Sequence, residues 1–128
     1  MNRLKGKTAI ITGSSRGLGS NIAMRFADEG ANVVINYHKN IEAAKELFNK
    51  INKINKNVLV VKCDVTKRNE VKALYNETIK SFNRIDILIN NAGINKRGYF
   101  HEITDEDWDL ILNINLKSVF ICCQEVFP

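Results

Sequence analysis

A short apolar segment that runs into a glycine-rich loop constrains the fold of this chain more than any other feature. Residues 8–12 read TAIIT, and Gly13, Gly17 and Gly19 follow in the spacing G-x-x-x-G-x-G. A helical pattern begins near Gly17, so the segment predicts a tight turn from a buried strand into a helix. The unpaired N–H groups and the dipole of a helix N-terminus favour a pyrophosphate. The sequence therefore predicts a dinucleotide site at this loop.

Apolar runs and helical patterns alternate along the rest of the chain. Further strands are predicted at residues 32–37, 58–63 and 85–90, and helices begin near Gly17, near Asn40, after Thr66 and at Thr104. Unbroken runs of Val, Ile and Leu are typical of parallel strands covered on both faces. Right-handed crossovers favour the strand order 3-2-1-4. We therefore expect an α/β fold, a Rossmann-type doubly wound parallel sheet, as a single domain over residues 1–128 that is truncated before its remaining strands.

Three positions are predicted to set helix ends. Gly30 follows the last apolar position of the first helix and is placed to end it. Thr66, with Glu70 nearby, is predicted to be the N-cap of the third helix. Thr104 opens the last helix, and the acidic residues 105–107 follow it at the positive end of the helix dipole.

Composition and charge narrow the classes of function. A content of 45% hydrophobic and 26% charged residues is typical of a globular protein. No apolar stretch approaches the roughly 20 residues that span a bilayer, and the N-terminus leaves no room for a signal peptide. We therefore expect a cytoplasmic protein without a membrane partner. The net charge of +5 is dispersed and not interleaved with aromatic residues, so we expect no nucleic-acid partner.

The cysteine and histidine residues indicate neither a disulfide framework nor a metal site. Cys63, Cys122 and Cys123 lack C-x-x-C spacing, and we interpret all three as small buried apolar side chains. His38 and His101 show no metal-ligand spacing.

Four motifs together resemble the short-chain dehydrogenase/reductase family. They are the glycine loop from Thr12 to Gly19, Cys63-Asp64-Val65, Asn90-Asn91-Ala92-Gly93 and Asn113-Ile114-Asn115-Leu116. Their order and spacing match the family over the whole chain, whereas the glycine spacing differs from the G-x-G-x-x-G of the general dinucleotide fingerprint. Within the family the chain looks most like bacterial 3-oxoacyl-(acyl-carrier-protein) reductases of fatty acid biosynthesis.

The resemblance implies that the glycine loop binds the phosphates of NAD(P). In the family, Gly13 permits the tight turn and Gly19 allows close helix packing. Ser14, Ser15 and Leu18 lie along the phosphates. The remaining loop residues are implied in the same site, namely Arg16 and Gly17. The alternative for a glycine-rich segment taken alone is an ordinary turn.

Two further motifs are implied in the cofactor site. The carboxylate of Asp64 would accept from the adenine amino group, with Val65 against the ring, although such an Asp can also cap the turn into the next helix. Asn91, Ala92 and Gly93 would brace the sheet and pass the nicotinamide ribose, although they can also form an ordinary strand-ending turn.

Only one residue of the family's catalytic set is present. Asn115 would kink its helix and hold a water of the proton relay; the alternative is a hydrogen-bonded amide in the core. The family also uses a serine and a Tyr-x-x-x-Lys pair, in which tyrosine protonates the carbonyl oxygen. Tyr37, Tyr75 and Tyr99 are each followed four residues later by isoleucine, so this pair does not occur. We therefore expect that the 128 residues alone do not turn over substrate.

The end of the second strand bears on the choice of cofactor. NAD enzymes usually place a carboxylate there to hold the ribose diol. This chain has Tyr37, His38 and Lys39, with no acid before Glu42. The guanidinium of Arg16 in the loop suits a phosphate, although it can also be a solvated charge. NADP is therefore the expected cofactor, with NADPH preferred over NADH.

These observations predict an NADPH-dependent oxidoreductase that reduces a ketone. The expected substrate is a small carbonyl compound, and the resemblance suggests one linked to acyl carrier protein. The family also implies a homo-oligomer, a tetramer or a dimer. The alternative is a non-catalytic, truncated dinucleotide-binding or interaction module.

Overall fold

The computed structural model describes residues 2–127, in which strands and helices alternate. The elements in chain order are β1 Thr8–Ile11, α1 Gly17–Asp28, β2 Asn32–Tyr37, α2 Ile41–Asn52, β3 Val58–Lys62, α3 Arg68–Phe82, β4 Ile87–Ile89, a 3-10 turn Phe100–Glu102, α4 Asp105–Leu112, a π-helical segment Asn113–Lys117 and α5 Ser118–Val126. The predicted bounds of β2 are confirmed. The other three strands are one to three residues shorter than predicted, because residues at their ends turn into the connecting loops.

The four strands described form one parallel sheet in the order β3-β2-β1-β4, which confirms the predicted fold. Side chains alternate between the two faces of each strand. Ile11 and Ile35 pack with α1 and α2 on one face, whereas Ile10 and Val34 pack with α3 and α5 on the other. Because both faces are covered, the side chains in the middle of the central strands are apolar on both faces. The carboxyl edge of the sheet is where ligands of open α/β sheets bind.

Two of the three predicted helix ends are confirmed. Gly30 has a φ of +87° directly after the C-cap of α1. Thr104 accepts from the backbone N–H of Asp107, whose carboxylate accepts in return from the Thr104 backbone. The prediction for Thr66 is wrong. α3 begins at Arg68, and both the Thr66 N–H and the Thr66 hydroxyl donate to Asp64 Oδ1 instead.

The cysteines divide between the core and the surface. Cys63 and Cys122 are buried, and burial raises the pKa of these thiols to about 12 and about 11. Cys123 is exposed, so its predicted burial is wrong. The reason is that α5 covers the sheet with one side only, and successive helical positions point in different directions.

Within residues 2–127 the structure shows neither a candidate membrane-spanning helix nor a candidate metal site. No helix in this range has the length and apolar character needed to cross a bilayer. The same range brings no three His, Cys, Asp or Glu side chains together as metal ligands.

Candidate functional site

A cleft of about 780 Å³ opens at the carboxyl edge of the sheet. The loops that follow all four strands meet there, and ligands of open α/β sheets bind at this edge. The predicted site residues that line it are Gly13, Ser15, Arg16, Gly17, Tyr37, His38, Asp64, Val65, Asn91, Ala92 and Gly93. The four that do not are Ser14, Leu18, Gly19 and Asn115.

The glycine loop depends on three glycines for different reasons. Gly13 has a φ of +60°, and a Cβ there would lie 2.8 Å from the Cα of Ala92. A Cβ on Gly19 would lie 2.4 Å from Asn91 Nδ2 and 2.9 Å from the Cα of Ser14. Gly17 has a φ of +61°, but no atom lies within 4 Å of its would-be Cβ. Gly13 and Gly19 therefore keep the loop close to the strand ends, whereas Gly17 leaves open space on the cleft side.

The backbone amides of the loop separate into two groups. The Gly13 N–H donates to Asn36 Oδ1 and the Ser14 N–H to the Asn36 carbonyl, at 2.9 and 3.0 Å. Among residues 2–127, the N–H groups of residues 15–19 have no hydrogen-bond acceptor. The first turn of α1 also has no side-chain cap and no acidic residue. Free backbone N–H groups in and just before the first turn of a helix are of the type that binds anions in proteins.

The side chains of the loop point in different directions. Ser14 is buried, and its hydroxyl accepts from the Asn36 N–H at 3.1 Å. Ser15 lines the cleft, so of the two serines in the loop it is the one that lies beside the cleft. Leu18 is 70% exposed, and Arg16 is exposed at the rim.

The segment after β4 is joined to the loop through Thr12. The Thr12 hydroxyl oxygen accepts from the N–H groups of Asn91 and Ala92, both at 3.0 Å. In return, Asn91 Nδ2 donates to the carbonyls of Thr12 and Gly13 at 3.0 and 3.1 Å. This network of hydrogen bonds joins the glycine loop to the segment after β4, which form two walls of the cleft.

The ends of β2 and β3 bring an imidazole and a carboxylate together. His38 Nε2 lies 3.6 Å from Asp64 Oδ2, while Asp64 Oδ1 accepts from Thr66. Burial alone would raise the pKa of Asp64, but hydrogen bonds from Thr66 and the charges of His38 and Lys67 lower it below its usual value. Asp64 thus does form the turn predicted as its alternative role, and its Oδ2 stays on the cleft side.

Asn115 lies in the π-helical segment between α4 and α5. Its Oδ1 accepts from the Ile94 N–H, and its Nδ2 donates to the Ile94 carbonyl, both at 2.8 Å. Both polar atoms of the side chain are therefore hydrogen-bonded, but the residue is exposed and not part of the core. A Cβ on Gly93 would lie 3.3 Å from Asn115 Oδ1, so the same contact requires a small residue there. π-helical segments are frequent at functional sites because they redirect helix carbonyls.

Two residues at the site were not predicted from the sequence. The sequence motifs include Thr12 only as the first residue of the glycine loop, and Asn36 lies within the second predicted strand. The available signal was a polar side chain at or near the end of an apolar run. Such a side chain must find a partner when it is buried, and at a carboxyl edge that partner is a loop.

Comparisons with known proteins agree with this geometry. The family model described as short chain dehydrogenase matches residues 7–128. A 3-oxoacyl-(acyl-carrier-protein) reductase of Staphylococcus epidermidis is 37% identical over 122 residues, which cover 95% of this chain and 50% of that protein. A hydroxynaphthalene reductase-like protein of Metarhizium robertsii is 36% identical over 124 residues, covering 97% of this chain and 46% of that protein.

A solved structure extends the comparison to three dimensions. A short chain dehydrogenase of Burkholderia cenocepacia, in complex with NADP, superposes with a TM-score of 0.93 at 36% identity. The match covers 98% of this chain and 51% of that one. This chain therefore spans about half the length of the relatives that it matches. The extent of the family match, together with the glycine loop and the shared fold, shows that the chain belongs to the short-chain dehydrogenase family.

Proposed function

We propose that the cleft binds a nicotinamide dinucleotide with its pyrophosphate on the backbone amides of residues 15–19. The observation that carries this proposal is that these five consecutive N–H groups, which lead into the first turn of the 12-residue helix α1, have no acceptor among residues 2–127. Gly17 leaves room for the ligand to reach them. A phosphate is bound by several backbone donors at hydrogen-bond distance, and the acceptor-free N–H groups of this turn support that role.

The two sides of the cleft suit the two ends of such a cofactor. Asp64 and Val65 lie at the end of β3, where the adenine would contact the Asp64 carboxylate and the Val65 side chain. Asn91, Ala92 and Gly93 lie at the end of β4, where the backbone would pass the nicotinamide ribose. The glycine loop follows β1, which lies between β2 and β4 in the sheet. A dinucleotide with its pyrophosphate on this loop would therefore reach both ends.

NADPH is the cofactor that the charges at the rim favour. Tyr37, His38 and Lys39 line the cleft at the end of β2, and Arg16 of the glycine loop lines the same cleft. The sheet also brings the Asp64 carboxylate to 3.6 Å from His38, so a negative charge lies beside this part of the cleft. Arg16 is exposed and has no ion-pair partner among residues 2–127, so it is the main candidate for the 2′-phosphate.

The proposed reaction is the reduction of a ketone by the protein that carries this chain. Bound NADPH would supply the hydride. The residues present would orient the cofactor, and Asn115, which is hydrogen-bonded to Ile94, would redirect its helix beside the nicotinamide side of the cleft. The curated relatives reported above are both named as reductases, and one acts on 3-oxoacyl groups carried by acyl carrier protein. A carbonyl substrate, a homo-oligomer and a cytoplasmic location complete the proposal.

Titration of the complete encoded protein with NADPH and NADH, followed by cofactor fluorescence, tests the proposal. Arg16→Ala should weaken NADPH binding by about 1–2 kcal/mol, the contribution of one charge-assisted contact, and should leave NADH nearly unchanged. Lys53→Ala, which removes an exposed cation beyond the opposite edge of the sheet, is the matched control and should affect neither cofactor. No binding of either cofactor would refute the proposal. Equal losses for both cofactors would remove Arg16 from the 2′-phosphate site.

Consumption of NADPH with a 3-oxoacyl thioester then distinguishes a reductase from a binding module. A complete protein that binds NADPH but reduces no ketone would support the non-catalytic alternative.

A further inference from the structure

Asn36 is a buried polar residue on a strand that is otherwise apolar. It lies next to the carboxyl end of β2 and is 2% exposed. Burying an amide without partners costs more free energy than a satisfied amide returns, so its partners indicate what this side chain holds in place. The two shortest hydrogen bonds of its side chain go to two different loops, and longer contacts of 3.4 Å reach the carbonyls of Tyr37 and Val61 on the strands.

The contacts of Asn36 connect the glycine loop to the end of β3. Its Oδ1 accepts from the Gly13 N–H at 2.9 Å, and its Nδ2 donates to the Cys63 carbonyl at 3.1 Å. Its backbone N–H donates to Ser14 Oγ at 3.1 Å, and its carbonyl accepts from the Ser14 N–H at 3.0 Å. Asn36 therefore bonds to two consecutive loop residues and to the residue that precedes Asp64.

These bonds decide which loop amides face the cleft. Because Asn36 takes the N–H groups of Gly13 and Ser14, the loop turns inward at these two residues. The chain then reverses, and the N–H groups of residues 15–19 are left without an acceptor. Gly13 has a φ of +60°, and glycine adopts negative φ values about as readily. The hydrogen bond between the Gly13 N–H and Asn36 Oδ1 therefore helps to hold this one conformation.

We infer that Asn36 is a positioning residue for the dinucleotide. Its side chain holds the glycine loop in the conformation that presents the amides of residues 15–19, and it holds Asp64 at a constant separation from them. It acts through Gly13 and Cys63. One amide group does both because it carries an acceptor and a donor on the same plane. This inference rests on the proposed function, since it assigns the residue that prepares the same site for the pyrophosphate and the adenine.

Asn55 provides a matched control for a test of this role. Its Nδ2 donates to the carbonyls of Ala27 and Ala31 at 3.1 and 2.8 Å, and its Oδ1 accepts from the Asn57 N–H at 2.9 Å. It is thus an asparagine with a comparable set of backbone partners, but it lies before β3, at the opposite edge of the sheet. Asn36→Leu and Asn55→Leu remove the same type of side chain, and only the first disconnects the loop.

The experiment compares NADPH affinity and thermal unfolding of the complete encoded protein and the two variants. Both variants should unfold at lower temperature than the wild type. At a temperature where all three are folded, Asn36→Leu should raise the dissociation constant for NADPH by about tenfold or more, while Asn55→Leu should stay within about twofold. Equal effects of the two variants on affinity would overturn the inference. A wild type that does not bind NADPH would instead refute the proposed function.

Asn36→Thr keeps the test decisive if Asn36→Leu does not fold. Threonine suits a strand and retains a polar group, but its hydroxyl is one bond shorter than the amide. It cannot reach both Gly13 and Cys63, so the same weakening of NADPH binding is expected. Wild-type affinity in a folded Asn36→Thr protein would contradict the positioning role.

Discussion

Substituting Gly17 by alanine separates the conformation of the loop from its function. Gly17 has a φ of +61°, and no atom lies within 4 Å of a Cβ added there. Gly6 has a φ of +78° and equally open surroundings, but it precedes β1 at the opposite edge of the sheet. Both positions therefore carry the same backbone requirement, and only Gly17 borders the cleft.

The expected cost in stability is the same at both positions. An L-residue in the left-handed region is less stable than glycine by about 1–2 kcal/mol. For a domain of this size, a loss of 1 kcal/mol corresponds to a decrease in the melting temperature of roughly 2–8 °C. Gly17→Ala and Gly6→Ala should therefore both lower the melting temperature of the complete encoded protein by roughly 2–16 °C, measured by thermal unfolding.

The expected effect on binding differs between the two variants. The methyl group of Gly17→Ala would occupy the space through which a phosphate reaches the amides of residues 15–19. NADPH affinity should therefore decrease by tenfold or more, a change of about 1.4 kcal/mol or more, whereas Gly6→Ala should bind as the wild type does. Titration followed by NADPH fluorescence measures both. Unchanged affinity in folded Gly17→Ala would refute the assignment of these amides to the pyrophosphate.

Two further predictions concern stability and association. Hydrogen bonds from Arg3 lower the pKa of Glu29 to about 2 from 4.5, so its stabilising contribution is complete above about pH 4.5 and is lost as the pH falls towards 2. The free energy of unfolding, measured by chemical denaturation across this pH range, should depend less steeply on pH in Glu29→Gln than in the wild type. An unchanged pH dependence would contradict a stabilising role of the Arg3–Glu29 pair. The isolated 128-residue chain should self-associate at micromolar concentration, because β4 ends the described sheet and Leu116 and Phe120 are 64% and 56% exposed. Light scattering that shows a stable monomer would contradict this, and charged residues at these two positions should reduce any association.

Local sequence patterns were sufficient for the fold. The unbroken apolar runs predicted the parallel strands, and the known handedness of their connections predicted the order 3-2-1-4. Gly30 and Thr104 were predicted correctly because the residues that end or cap a helix lie within a few positions of that end. The glycine loop was identified in the same way, since the strand, turn and helix are contiguous in the chain.

Predictions failed where the partner of a residue lies elsewhere in space or competes with the expected one. Thr66 was predicted as a cap, but its N–H and hydroxyl bond to Asp64, and α3 starts later. Cys123 was predicted to be buried, but the side of α5 that faces the sheet is decided by packing. No acidic residue directly follows β2 in the sequence. The sheet, however, places the carboxylate of Asp64, which follows β3, beside His38.

The sequence alone determined that this protein has a parallel α/β sheet with a glycine-rich turn into its first helix, because these features depend on contiguous residues. Only the tertiary structure decided which amides of that turn remain without an acceptor. That outcome depends on Asn36, 23 residues after Gly13, and on the pairing of β1 with β2 that brings the two together. Hydrogen bonds between distant residues form only after the strands have aligned, so their partners cannot be derived from local spacing.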